Sequence, residues 1–165
     1  MPDKDAIEDA WKIHGALTDW TGKVDAKAAF VLTIESAVIT AVIVGRGEGQ
    51  QLATIVGLWR GIALSAGLLA LGVSVVLAAM VVVPNIRRSR VSAESSSNWI
   101  FFGHLKDWNP TDLADKLRND DLLPVLSRQL VRMSQIAWTK HVRVQWSFLI
   151  AMLGSALILL AALVP

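Results

Sequence analysis

Twenty-four consecutive residues, Gly61 to Pro84, carry no charge. A helix needs about 20 such residues to cross the hydrocarbon layer of a bilayer, and a run this long exceeds an ordinary core helix. Arg60 stands immediately before it, and Arg87, Arg88 and Arg90 follow it closely. The chain therefore belongs in a membrane, and its function has to be read from there.

Two further stretches qualify. Val144 to Pro165 is free of charge. Ala28 to Gly45 is 18 residues long and apolar apart from Thr33, Glu35, Ser36 and Thr40, near the lower limit for crossing. Three spans make sense of the charges. Lys and Arg number 16: four in 1–27, two in 46–60 and ten in 85–143. The positive-inside rule then places 1–27 and 85–143 on the cytoplasmic side, with 46–60 and Pro165 outside. Lys23, Lys27, Arg87, Arg88, Arg90, Lys140 and Arg143 flank the span ends. Trp59 and Trp146 suit interface anchors on opposite sides. An acidic start and a long polar stretch before the first apolar run argue against a cleaved signal peptide. Cysteine is absent, which excludes disulfides, thiol catalysis and Cys-based metal sites.

These readings give an all-α integral membrane protein: a cytoplasmic N-terminal helix (1–27), transmembrane helix 1 (28–45), an external loop (46–60), transmembrane helix 2 (61–84), a cytoplasmic linker and helical module (85–143), and transmembrane helix 3 (144–165). Ile7, Trp11, His14, Leu17, Val24, Ala28 and Val31 recur at helical spacing, so one helix is expected from about Asp5 into the first span, Gly15 and Gly22 notwithstanding. Residues 85–98 read as a linker of basic and Ser-rich tracts. Asn109-Pro110 reads as an N-cap and first-turn proline opening a helix that ends near Asn119. Asp120 and Asp121 open the next, which tolerates Pro124 in its first turn and runs from Leu122 through Lys140 and Arg143 into the last span, over roughly 60 Å. The first and last long helices are expected to be parallel. Small residues four apart (Ala37, Ala41, Gly45; Gly61, Ser65; Ser147, Ala151, Ser155) permit close helix packing, within one protomer or between copies. A cytoplasmic part of 27 and 59 residues is small for a monomeric core, which favours a homo-oligomer.

Nothing here resembles HExxH, GxSxG, a P-loop or a Rossmann glycine pattern. His14, His104 and His141 lack metal-ligand spacing, and the Asp120–Asp121 pair suits a helix start. The expectation is a protein that is not an enzyme, with no catalytic residue, no metal and no cofactor. Glu35 lies about 12 Å into the membrane counted from Lys27, and intramembrane ionisable groups face a bundle interior or water. It lines or gates a pore, or it is a packing residue, protonated or bonded to a serine such as Ser74 or Ser155. WIFFGHLKDW, Trp99 to Trp108, is the most aromatic ten-residue stretch. Trp99, Phe101, Phe102 and Trp108 stack a nucleobase while His104 and arginines reach a phosphate, or they pack on helices. Arg128, Arg132, Lys140 and Arg143 meet an anionic ligand or lipid head groups.

Three blocks of the chain, WTGKVDAKAAFVLTI (20–34), FFGH (101–104) and RQLVRMSQIAWTKHVRVQWSFLI (128–150), resemble the Pycsar transmembrane effector family. WTGKVDAKAAFVLTI carries Asp25, Lys27, Ala28, Leu32 and Ile34 of its first-span entry. FFGH, Phe101 to His104 with Gly103, resembles its cytoplasmic signature. RQLVRMSQIAWTKHVRVQWSFLI carries Ser134, Ile136, Ala137 and Lys140 ahead of the final span. Order and spacing agree over nearly the whole chain. Glu35 stands where a small polar residue is expected, and His141 where tyrosine is usual. The resemblance implies an antiphage effector encoded beside a nucleotide cyclase. It would sense cyclic CMP or cyclic UMP at the inner face of the bacterial plasma membrane, and impair that membrane in abortive infection. The ligand-binding candidates are Phe101, Phe102, His104, Arg128, Arg132 and Lys140. The partners are the cyclic nucleotide, the bilayer, further copies of the chain and the paired cyclase, with no nucleic acid. A membrane-anchored scaffold and a holin-like pore without nucleotide gating are the competing readings.

Overall fold

The computed structural model of the chain describes residues 2–47, 57–83 and 98–163. The 85–97 part of the expected linker, with Arg87, Arg88 and Arg90, and most of the expected external loop, 48–56, lie outside them. Within them the protein is all-helical: α1 (Pro2–Gly45), α2 (Leu58–Val82), the single turn α3 (Phe102–Leu105), α4 (Pro110–Asn119) and α5 (Leu122–Leu163). Three of these, α1, α2 and α5, are long and apolar enough to cross a membrane.

The long helices are built on seven-residue repeats. On α1 the buried residues are Ala10, Leu17, Val24 and Val31, interleaved with Ala28, Glu35 and Val42. On α2 they are Leu64, Leu71 and Ala78, interleaved with Gly67, Ser74 and Val81. On α5, Ser147, Gly154 and Ala161 continue the rule. Alternating steps of three and four keep one stripe of each helix turned inward, as in knobs-into-holes packing.

The chain forms two compact units, residues 1–22 with 84–138, and residues 23–83 with 139–165. The second is a three-helix bundle. Ser74 of α2 faces Ser147 of α5, and Gly67 faces Gly154 seven residues further along each helix. These two helices are therefore antiparallel. At its two ends an arginine of one helix meets the last carbonyls of the other: Arg60 Nε donates to Ala161 O at 3.0 Å, and Arg143 Nη1 approaches Met80 O at 3.5 Å. A cation there complements the unpaired carbonyls and the negative end of the helix dipole. The roughly 20 residues from Arg60 to Met80 span about 30 Å, the thickness of the hydrocarbon layer. Helices α1 and α5 are parallel here, as the sequence predicts. Asp25 pairs with Lys140 at one end, and Val42 packs with Ile158 and Ala161 towards the other.

The first unit holds the charge-rich segments. Asn109 caps α4, its side chain accepting from the Thr111 amide at 2.9 Å, with Pro110 in the first turn and the end at Asn119. Asp121 accepts from the Leu123 amide at 3.0 Å and opens α5, as expected. Helix α1 is continuous through Gly15 and Gly22. Ala10 and Leu17 of α1, Trp99, and Val125, Leu126, Gln129 and Ala137 of α5 are buried.

Candidate functional site

Two places in the structure are built for more than packing. The first is a polar layer across the middle of the bundle. Ser74 Oγ donates to the Ser147 carbonyl at 2.6 Å, Ser147 Oγ donates back to the Ser74 carbonyl at 3.2 Å, and the two hydroxyl oxygens are 3.0 Å apart. This reciprocal clasp needs the backbones close. Seven residues away, Gly67 and Gly154 supply that approach: a Cβ on Gly154 would lie 2.8 Å from the Gly67 carbonyl oxygen, and one on Gly67 would lie 2.8 Å from the Gly154 oxygen.

Glu35 enters the same layer from α1, only 1% exposed. Its carboxyl group lies alongside the Ser74 hydroxyl, but that hydroxyl's single proton is committed to the Ser147 carbonyl. Neither carboxyl oxygen has a hydrogen-bond partner among the described residues. An unsatisfied buried polar group costs about 1–3 kcal/mol, so the layer is a local weak point. Apolar clusters lie on either side of it. Val24, Ala28 and Val81 are packed with Val144 on one side, and Val42, Leu64, Leu71, Ile158 and Ala161 on the other.

The serine paired with Ser74 is Ser147, whereas Ser155 is only half-buried. The Asp25–Lys140 pair sets the α1–α5 register. It places Glu35 level with residue 150, three positions from Ser147 and five from Ser155. Of the rows of small residues four apart, Ser147 is buried at the contact, and Gly67 and Gly154 take the role expected of Gly61 and Ser155. The signal available in the sequence was the shared spacing of seven, Gly67 to Ser74 and Ser147 to Gly154.

The second place is the aromatic module of the other unit. Trp99 is buried, with Trp108 edge-on at 6.4 Å between ring centroids and the Lys116 ammonium 5.4 Å over its ring. Its indole Nε1–H has no hydrogen-bond partner among the described residues. The FFGH signature has a steric logic. Phe101 folds back over Gly103, where a Cβ would lie 2.5 Å from the Phe101 ring. From there Phe101 packs edge-on against His104, with centroids 5.3 Å apart. His104 is buried, while Phe102, 4.5 Å from Phe101, is 68% exposed. Phe101, Phe102 and His104 are thus brought together. Arg128 and Arg132 follow one turn apart on α5 in the same unit.

Lys140 belongs to the bundle. Its ammonium donates to both Asp25 oxygens, at 2.6 and 2.9 Å, which ties two family-motif positions into one ion pair at the foot of the spans. Lys27 and Ser134 are exposed. Between α1 and α5 runs an open groove of about 660 Å³ whose walls include Phe30, Val31, Phe148 and Leu149. Its apolar walls suit lipid or another helix better than a nucleotide. Among the described residues no group of three or more His, Cys, Asp or Glu side chains could hold a metal ion.

No curated protein and no solved structure matches the chain. A family model described as the Pycsar effector protein domain, PycTM, matches residues 9–165, which includes α2, α5, all of α1 but its first seven residues, and both candidate sites. The chain therefore belongs to the Pycsar effector family, and is an antiphage defence effector carried on membrane-spanning helices.

Proposed function

We propose that this protein is a nucleotide-gated membrane effector. Cyclic CMP or cyclic UMP binds the unit containing Trp99 to Trp108 at the cytoplasmic face of the inner membrane. Binding releases the span bundle from its closed packing, and the resulting leak ends the infected cell. The family match across residues 9–165 carries this reading, and membership pairs the effector with a cyclase system. Two features support it. The aromatic module offers rings for stacking a base and an unused buried N–H on Trp99 for an acceptor on the ligand. The bundle holds a polar layer between apolar clusters, the composition of a closed gate. No enzymatic step and no cofactor are required. Trp11, Ile13, Phe102 and Val131 expose apolar surface on the charge-rich segments; they suit a face between copies in a homo-oligomer.

A ligand shifts an equilibrium only by its differential affinity for the two states. Calorimetric titration of the detergent-purified protein with cyclic CMP, cyclic UMP and cyclic AMP tests the sensor. Selective heat with one pyrimidine nucleotide is expected. Absence of binding in folded protein would leave a membrane-anchored scaffold as the function.

A further inference from the structure

Within the three spans the charge inventory is minimal. Residues 28–45, 61–82 and 144–163 contain no Lys, Arg or His, and Glu35 is their single acidic residue. That one carboxyl group does not face lipid. It occupies a buried position of the α1 repeat, between Val31 and Val42, alongside the Ser74 hydroxyl, whose oxygen is itself 3.0 Å from that of Ser147. An aqueous path that opens along the inside of this bundle passes Glu35 and two serine oxygens, and between the arginines at its two ends it meets no cation. Acidic side chains in a constriction select cations in channels generally, and apolar constrictions gate by excluding water. Both elements are present: an oxygen-rich layer, closed off by Val24, Ala28, Val81 and Val144 on one side and by Val42, Leu64, Leu71 and Ile158 on the other.

We propose that Glu35, Ser74 and Ser147 form a monovalent-cation site in the bundle and that the membrane leak is cation-selective. The leak itself rests on the proposed function; the site does not. Oxygen donors without a nitrogen or sulfur ligand suit hard cations, and one carboxylate with two hydroxyls carries too little charge to compensate the dehydration of a divalent ion. A path lined only by lipid head groups, or a pore between protomers that avoids the buried layer, would carry no such preference.

Two readouts separate the claims. In proteoliposomes activated by cyclic CMP or cyclic UMP, potassium is expected to permeate at least about tenfold faster than chloride. Glu35→Gln, which keeps the shape of the side chain, should bring the ratio close to one while leaving the protein monodisperse and helical. In detergent without nucleotide, thallium(I), as a potassium surrogate, should show protein-dependent line broadening in its magnetic resonance signal, and Glu35→Gln should abolish it. An unselective leak, or selectivity that survives Glu35→Gln, overturns the proposal while the gated effector stands. Thallium broadening without any leak would retain the site and overturn the gated-leak function. Absence of both leak and broadening overturns the site.

Discussion

The contact between Gly67 and Gly154 allows the sharpest quantitative test of the bundle. In Gly154→Ala the new methyl group would lie 2.8 Å from the Gly67 carbonyl oxygen and 3.2 Å from Leu71 Cγ. The oxygen belongs to a helix backbone and cannot swing aside. Restoring the 3.4 Å of ordinary van der Waals contact parts α2 from α5 by about 0.6 Å, a gap that forfeits about a quarter or more of the dispersion energy of each affected contact. The same movement stretches the longer half of the clasp, Ser147 Oγ to the Ser74 carbonyl, from 3.2 Å to about 3.8 Å, beyond hydrogen-bonding distance. Overpacking of this kind costs about 1–3 kcal/mol, and the helix propensity of alanine over glycine returns up to about 1 kcal/mol. The net expectation is a loss of about 1–2 kcal/mol, or roughly 2–8 °C in Tm for a chain of this size. Gly67→Ala should behave alike. The double variant should cost less than the sum, because one separation accommodates both methyl groups. Gly72→Ala is the control, since its methyl group enters open space, and it should be neutral or slightly stabilising. Thermal unfolding of the four variants and the parent protein in one detergent, followed by circular dichroism and by size exclusion after heating, reads the difference. If Gly154→Ala proves as stable as Gly72→Ala, the close approach does not exist and the serine clasp has lost its physical basis.

Three other perturbations address the remaining contacts. Asp25→Ala and Lys140→Ala should each destabilise the bundle, with a coupling energy of about 1 kcal/mol in a double-mutant cycle for this half-buried pair; additive effects would show that the bond at 2.6 Å contributes nothing. Gly103→Ala should displace Phe101 from His104 and lower nucleotide affinity by about tenfold or more, a stacking loss of 1–3 kcal/mol. Its three-span topology in protease protection should be unchanged, and unaltered affinity would separate the FFGH turn from the ligand site. Trp99→Phe removes a buried N–H without an acceptor, so without ligand its stability should be equal or higher. Weaker nucleotide binding in that variant would identify the indole as a ligand donor, and unchanged binding would remove it from the site.

What the sequence revealed, and what it hid, follows from the solvent of each segment. Helix boundaries in the polar segment were legible because local chemistry sets them: Asn109 caps α4, and Asp121 caps α5 ahead of Pro124. The existence of the spans was legible from length and charge alone. Their faces were not. In a soluble helix the polar side marks the surface, but the exposed side of α2 (Leu69, Val73, Val76, Met80) is as apolar as its buried side. Hydropathy therefore cannot say which stripe turns inward. Register between α2 and α5 is set by residues 63 to 101 positions apart in sequence, so depth alone pointed to Ser155, and the structure pairs Ser74 with Ser147 instead. Likewise the aromatic stretch announced a cluster, but nothing local distinguished buried Trp99 from exposed Phe102.

The energetics of the polar layer bear on how a small ligand could operate such a bundle. Moving a two-state protein from about 1:99 to 99:1 takes about 5.5 kcal/mol of differential affinity, within reach of one tightly bound nucleotide but with little to spare. A closed bundle of pure Leu and Val would be hard to open on that allowance. Glu35 changes the balance. Without a bound cation its carboxyl group is unsatisfied and burdens the closed state by about 1–3 kcal/mol, a cost relieved as soon as water reaches the layer. The apolar clusters on either side and the glycine contact hold the bundle shut against it. Opening then asks the ligand to tip a nearly balanced structure rather than to dismantle a stable one. Helices α1 and α5 give binding a route to that balance, for each contributes without a break to the unit with the aromatic module and to the unit with the spans. On this argument Glu35→Met, which satisfies the layer with apolar contact, should stabilise the bundle and raise the nucleotide concentration needed for leak.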